Sequence, residues 1–201
     1  LPVPYQVVLK KIKIRMIWMK RITDKGKAGM FTALFTSVIC VSGFISFPLP
    51  FSPVPVVLQD MMCFLSGILL GPVWGFLSTL LYLVLGLIGL PVFSGGRGGL
   101  TAFLTSPTSG FILGYIAGSL AAALIMISTG KTKKYILTAL AGAVVAEIII
   151  FLLGTIWFMK ITGFDTGDTL AKAVLPFIPG TIVKIIVVIP VVKWIYPQIL
   201  N

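Results

Sequence analysis

Four ionisable side chains stand in or beside apolar stretches of this chain: Asp60, Arg97, Glu147 and Lys184. In a membrane such a group costs about 2.5–3.5 kcal/mol near the bilayer centre, so each needs a partner or a ligand. Lys184 falls about two turns into the last apolar run, behind Pro176-Phe177-Ile178-Pro179-Gly180-Thr181. A break at Pro179-Gly180 would open its ammonium to an aqueous pocket from the outer side; the alternatives are snorkelling to headgroups or pairing with Glu147. Glu147 is the only acid of its run and suits either the neutralisation of a buried base or contact with a ligand. Asp60 follows Gln59 just beyond a proline run, where nearness to an interface makes a carboxylate tolerable without function. Arg97 sits inside Gly95-Gly96-Arg97-Gly98-Gly99. Such glycines let backbone N–H groups approach a ligand, and a guanidinium fork fits a carboxylate or a urea-type carbonyl. The alternative for the glycine loop is a flexible hinge.

Much chemistry is excluded by what is missing. There is no histidine among 201 residues, which removes the commonest general base and zinc ligand. No paired carboxylates at helical spacing and no serine beside a base point to an intramembrane enzyme. No G-x-x-x-x-G-K-S/T loop is present, so ATP-driven work must come from partners. Neither a metal nor a cofactor is expected. Cys40 and Cys63 both lie in apolar runs and read as core thiols rather than a disulfide.

The elements that position these residues follow from composition. The chain is 58% hydrophobic and 10% charged, with a mean hydropathy of +1.10, against about 25% charged in soluble domains. An all-α polytopic membrane protein with six transmembrane helices is predicted, because six spans of about 20 residues leave room only for short connections. The spans are predicted at 28–47, 56–70, 73–90, 111–128, 135–159 and 174–196. Pro48, Pro50, Pro53 and Pro55 stop the first, and Gly71-Pro72 separates the second from the third. Residues 91–110, rich in Gly, Ser and Thr, read as a structured or re-entrant loop. The domain reading is a basic segment 1–27, a six-helix membrane domain 28–196 and a tail 197–201.

The charge excess, 16 basic against 5 acidic residues, is a topology signal and not a nucleic-acid footprint. Eight of the basic residues precede the first apolar run: Lys10, Lys11, Lys13, Arg15, Lys20, Arg21, Lys25 and Lys27. Lys131, Lys133 and Lys134 lie between spans four and five, and Lys193 near the end, against Arg97, Lys160 and Lys172 on the other side. By the positive-inside rule both termini are cytoplasmic. Residues 1–16 lack a signal-peptide cleavage pattern and read as a basic interfacial segment, with Met16 or Met19 as candidate starts.

Three separated motifs carry a resemblance over about residues 28–195. They are Ser52-Pro53-Val54-Pro55-Val56-Val57-Leu58-Gln59, then Gly86-Leu87-Ile88-Gly89-Leu90-Pro91-Val92-Phe93-Ser94-Gly95-Gly96-Arg97-Gly98-Gly99, then Ser106-Pro107-Thr108-Ser109-Gly110. Together they resemble the BioY family, the biotin-specific S components of energy-coupling factor transporters. The family pattern Pro-Phe-x-Pro-Gly-Asp-x-x-Lys is matched by Pro176 to Lys184 except at Thr181, where the acid is replaced by a neutral hydroxyl. Arg97 and the serines Ser106 and Ser109 also depart from the usual residues. The lost acid and gained base shift the expected pocket toward positive charge.

The resemblance implies high-affinity capture of biotin in a prokaryotic cytoplasmic membrane. Delivery inward then needs a transmembrane T subunit and two ABC-type ATPases. Biotin needs an apolar wall, a few fixed hydrogen bonds and one cation. Phe93, Tyr82 and Trp157 are candidate walls; Thr181, Gln59 and the amides around Gly96 and Gly98 are candidate partners of the ureido group; Lys184 or Arg97 would hold the carboxylate, and Glu147 completes the candidate set. Gly29, Ala33 and Ser37, four apart in span one, allow close helix approach. In the family such a motif docks the T subunit; internal packing is the alternative. Rival readings are an S component for another small carboxylate such as lipoate, and a stand-alone secondary carrier with Glu147 and Lys184 as a titrating pair.

Overall fold

The computed structural model describes residues 25–50, 52–128 and 135–200. The predicted head residues 1–24, with six of its eight basic side chains, lie outside the described residues, as do Lys131, Lys133, Lys134 and Asn201. The elements in order are α1 (Lys25–Ser42), β1 (Ser46–Leu49), β2 (Ser52–Val57), α2 (Gln59–Leu87), α3 (Leu100–Thr105), α4 (Ser109–Ser128), α5 (Tyr135–Thr162), α6 (Thr166–Ala173), a 3-10 turn (Leu175–Phe177) and α7 (Ile178–Leu200). Among the described residues four helical runs are long and apolar enough to cross a membrane: α2, α4, α5 and Thr166–Gln198. The chain is a mostly helical, multi-pass membrane protein.

The all-α expectation needs one amendment. The proline-rich stretch after α1 is an antiparallel hairpin in which Ser46 pairs with Val57, Phe47 with Val56 and Leu49 with Ser52. Proline is excluded from central strands because it cannot donate to the ladder, but a two-stranded sheet consists of edges. In the sequence these prolines read only as helix stops, and two further elements are also absent from that reading. Helix α6 is short and polar, with Asp165 capping it by accepting from Asp168 N at 2.7 Å. Helix α3 lies inside the predicted loop. The expected break at Pro179-Gly180 is instead the first turn of α7, where proline costs no intrahelical hydrogen bond. The helix α1 begins at Lys25, three residues before the predicted span.

Helix α2 is two limbs and not one rod. Gly71 has φ 85° and ψ −178°, a conformation essentially confined to glycine, and Pro72 starts the second limb. Ser66 Oγ donates to Gly75 O at 3.2 Å, although nine residues of continuous helix would span about 13.5 Å. The limbs therefore fold back on each other, as two adjoining spans require. Around them, α1 packs through Thr36 Oγ1, which donates to Ser78 O at 3.2 Å, and α4 packs through Ser119 against Ser66 and Gly67. Helices α4 and α5 form the largest helix pair. Gly110, Gly114 and Gly118 meet Trp157, Ile150 and Ala146 there, leaving no space for a Cβ at the first two. The opposite face of α5 turns Leu137, Val144, Ile148, Leu152 and Ile156 outward. An exposed apolar stripe of that length belongs against lipid.

Candidate ligand-binding site

Phe177, at the end of the 3-10 turn, and the face of α7 that carries Thr181 and Lys184 meet the first turn of α2, the β2 strand, and α4 and α5 around one cavity. Its wall includes Val54, Pro55, Val57, Phe111, Tyr115, Ile150, Phe151 and Phe177, and its polar lining is Asp60, Ser94, Thr108, Glu147, Thr181 and Lys184. The empty space is about 450 Å³ when the open mouth is included. Apolar walls with a few convergent polar groups fit a compact, amphipathic ligand.

The charged groups meet in a particular order. Lys184 Nζ donates to Asp60 Oδ2 in an ion pair whose side chains are only 7% and 10% exposed. Asp60 Oδ1 accepts from Met61 N at 2.7 Å, so the carboxylate is held from both sides. Glu147 is the partner for this base that the sequence offers. In the structure Asp60 takes that place, because the β-hairpin delivers the start of α2 directly against the second turn of α7. Glu147 is 3% exposed, and neither of its carboxylate oxygens has a hydrogen-bond partner among the described residues. Ser94 Oγ and Thr181 Oγ1 are likewise buried and unpartnered among them. Buried polar atoms are paired in the great majority of native structures, so a cluster of orphans around a cavity marks where a ligand's polar atoms belong.

The remaining candidates are placed elsewhere. Gln59 is fully buried and braces the backbone, its Nε2 donating to Val92 O at 2.8 Å and Ile39 O at 3.3 Å. Tyr82, Phe93, Phe103 and Trp157 form a continuous aromatic chain behind the cavity, with ring centroids 5.7–6.4 Å apart. Trp157 Nε1 donates to Ser106 O at 3.0 Å. Arg97 is exposed, and its Nε donates to Ser94 O at 3.2 Å. Part of the glycine loop closes on itself: Gly96 N and Arg97 N donate to Phe93 O at 3.0 and 3.3 Å, and Phe93 N to Arg97 O at 2.8 Å, while Gly99 N donates to Gly86 O at 2.7 Å. Gly96, at φ 72°, makes that turn possible, and Gly98 lies against Leu90 O with no room for a side chain. Together these residues set the position of Ser94, the loop residue that does line the cavity. The ionisable lining is thus two acids, Asp60 and Glu147, and one base, Lys184, among the described residues, without the expected excess of bases.

The comparisons with known proteins agree on one assignment. The profile described as the BioY family matches residues 17–200. The chain belongs to the BioY family. Within it, the chain is 37% identical over 160 residues to the probable biotin transporter BioY of Pyrococcus horikoshii, covering 80% of this chain and 90% of that protein. It is 36% identical over 163 residues to the biotin transporter BioY of Rhodobacter capsulatus, covering 77% and 85%. The crystal structure of the S component for biotin from an ECF-type ABC transporter superposes with a TM-score of 0.75 at 29% identity, over 88% of this chain and 97% of that one. An S component of a bacterial ECF transporter at 18% identity and a TM-score of 0.54 shares the fold.

Family membership leaves several lining residues that motif reading does not single out: Ser94, Thr108, Phe111, Tyr115 and Phe177. A helical signal for them exists. Phe111 and Tyr115 are four apart on α4, Glu147, Ile150 and Phe151 share a face of α5, and Thr181 and Lys184 share one of α7, with Phe177 just before it in the 3-10 turn. What the sequence lacks is the rotation of each face toward the others.

Proposed function

We propose that this chain is a biotin-capturing S component of an energy-coupling factor transporter, crossing a prokaryotic cytoplasmic membrane six times with both termini cytoplasmic. The spans are α1, the two limbs of α2, α4, α5 and α7. Biotin is bound in the cavity by Lys184, Glu147 and Thr181, together with Asp60 and Ser94. Arg97, Gln59, Phe93, Tyr82, Trp157, Gly96 and Gly98 shape the wall and loop behind those groups. Inward delivery depends on a T subunit and two ABC-type ATPases. The observation that carries the reading is the cluster of buried, unpartnered oxygens at Glu147, Thr181 and Ser94 beside an ion pair, in a cavity with apolar walls. It matches a ligand with an apolar bicycle and a hydrogen-bonding head.

Calorimetric titration of the detergent-purified full chain with biotin tests this directly. Saturable binding tighter than about 1 μM is expected. A folded sample that ignores biotin but binds lipoate would transfer the site to another ligand. Uptake of labelled biotin by cells carrying the chain should depend on co-expressed T and ATPase subunits. Uptake that survives their loss and collapses with the proton gradient would make the chain a secondary carrier instead.

A further inference from the structure

The hairpin between α1 and α2 differs in charge from the other connections at its end of the bundle. From Gly29 to Leu58 no residue is Asp, Glu, Lys or Arg, whereas the connections that share that end carry Arg97, and Lys160, Asp165, Asp168 and Lys172. Its depth follows from α1 and α2 taken together. Near the start of α1, Ala28, next to Lys27, is buried with Leu70, and Phe31, Phe35 and Trp74 pack around them. Farther along, Gln59 Nε2 donates to Ile39 O. Eleven residues separate these two levels on each helix, 28 to 39 and 59 to 70, which is about 16.5 Å at 1.5 Å per residue. Helix α1 ends at Ser42, about 21 Å from Ala28. A hydrocarbon core is about 30 Å thick, so about 9 Å of it remains beyond α1 and the hairpin starts inside it.

The chemistry of the hairpin suits that depth. Phe44, Ile45 and Phe47 are exposed, the two rings by 59% and 62%. Phe47 pairs with Val56, and successive strand side chains point to opposite faces, so Phe47 turns away from the face on which Val57 lines the cavity. Unsatisfied backbone donors are costly in lipid. Pro48, Pro50, Pro53 and Pro55 have no N–H to satisfy, and Val54 N donates to Ser52 Oγ at 3.1 Å. We propose that β1 inserts into the leaflet remote from Lys25 and Lys27, with Phe44, Ile45 and Phe47 against lipid, so that the bilayer backs β2, the strand that walls the cavity. The open strand edge then lies near the headgroup boundary, where water serves the carbonyls and aromatic rings gather. The inference rests on the readings of α1 as a span and of the cavity as a biotin site, and goes beyond them in naming lipid as the partner of the hairpin.

Photolysis of the full wild-type chain in phosphatidylcholine vesicles that carry an acyl-chain diazirine, mapped by peptide mass spectrometry, tests the insertion. Label should reach Phe44, Ile45 and Phe47 at a yield about tenfold or more above that of Asp168 in α6, as it should Ile148 on the outward stripe of α5. Label on Ile148 and on Leu34 of α1 but not on the hairpin overturns the inference alone. A hairpin and a Leu34 both unlabelled beside a labelled Ile148 overturn the reading of α1 as a span as well. Hairpin label that falls as the ratio of protein to lipid rises would give the face to a second copy and overturn the role of lipid. Phe47→Asp should remove the contact and weaken biotin binding in vesicles by about fivefold or more. Unchanged affinity in a variant whose hairpin label is lost would overturn the backing of β2. The wild-type labelling decides the insertion even if the variant does not fold.

Discussion

Lys184 and Asp60 are 124 positions apart and form the electrostatic centre of the site, so the cost of removing either is twofold. Cutting one partner from a buried pair leaves the other uncompensated, at about 3–5 kcal/mol. Lys184→Ala should therefore lower the thermal midpoint in detergent and weaken biotin by more than about tenfold. The two effects separate in the double variant Asp60→Leu/Lys184→Met, which removes both charges: its midpoint should return toward wild type while binding stays weak. A midpoint that remains low would mean that the pair supports the fold by geometry and not by charge balance. Thr181 offers the complementary experiment. Placing an acid one turn before Lys184, by Thr181→Asp, adds an acid to a site whose ammonium is already paired with Asp60, and biotin should bind about tenfold more weakly. Asp60→Asn in the same chain moves the acid rather than adding one, and should restore most of the affinity. At this scale the sequence is informative about which residues matter, since an ionisable group in an apolar run must have a reason. It is silent on pairing. Asp60 looks like an interfacial residue because its distance from Lys184 is set by how α2, β2 and α7 pack, and no local spacing encodes that.

At the scale of elements, apolar runs and their proline and glycine boundaries make α1, both limbs of α2, α4, α5 and α7 legible to within a few residues. Gly71-Pro72 is the clearest instance. The dipeptide punctuates an otherwise unbroken apolar run, and the structure uses it to reverse the chain so that Ser66 reaches Gly75. Gly71→Ala forces a side chain into a region that costs about 1–3 kcal/mol. A fall in the thermal midpoint with biotin affinity retained in the folded fraction is the expected result, read by ligand-dependent thermal shift. The β-hairpin is hidden in the sequence because proline signals the end of a helix without specifying the next element. Helix α6 is hidden because its eight residues are too few and too mixed to carry a membrane signal; it is held by its own cap and by Lys172 Nζ 4.0 Å over the Phe164 ring. The glycine loop is legible as special, but its direction is not. The amides of Gly96 and Arg97 close a turn on Phe93, and the loop residue that lines the cavity is Ser94.

Over the whole molecule, the cavity and the outward small-residue stripe of α1 are built from different residues. On α1 the inward face is Ala28, Thr32, Thr36 and Ile39, all buried against α2. Gly29, Ala33 and Ser37 face away, exposed, and Ser37 Oγ satisfies itself by donating to Ala33 O at 2.9 Å. Among the described residues internal packing therefore does not occupy the small-residue stripe, and a Cβ at Gly29 would meet none of them within 4 Å. Small residues on an exposed helix face let another helix approach to backbone contact, which lipid does not require. The cavity lies among α2, α4, α5, α7 and β2 and has no lining residue from α1, so the proposed ligand site and the proposed docking stripe can be tested by separate mutations. Ala33→Phe should leave biotin affinity of the isolated chain within about twofold of wild type, because the side chain enters no packed interior. In cells with the T and ATPase subunits the same change should cut biotin uptake by about tenfold or more and abolish co-purification of the T subunit, since a phenyl ring holds two helices apart along their closest line. Normal uptake by Ala33→Phe would place docking on another face; loss of biotin affinity in the isolated chain would mean that α1 transmits its packing to the site through Thr36 and Ser78.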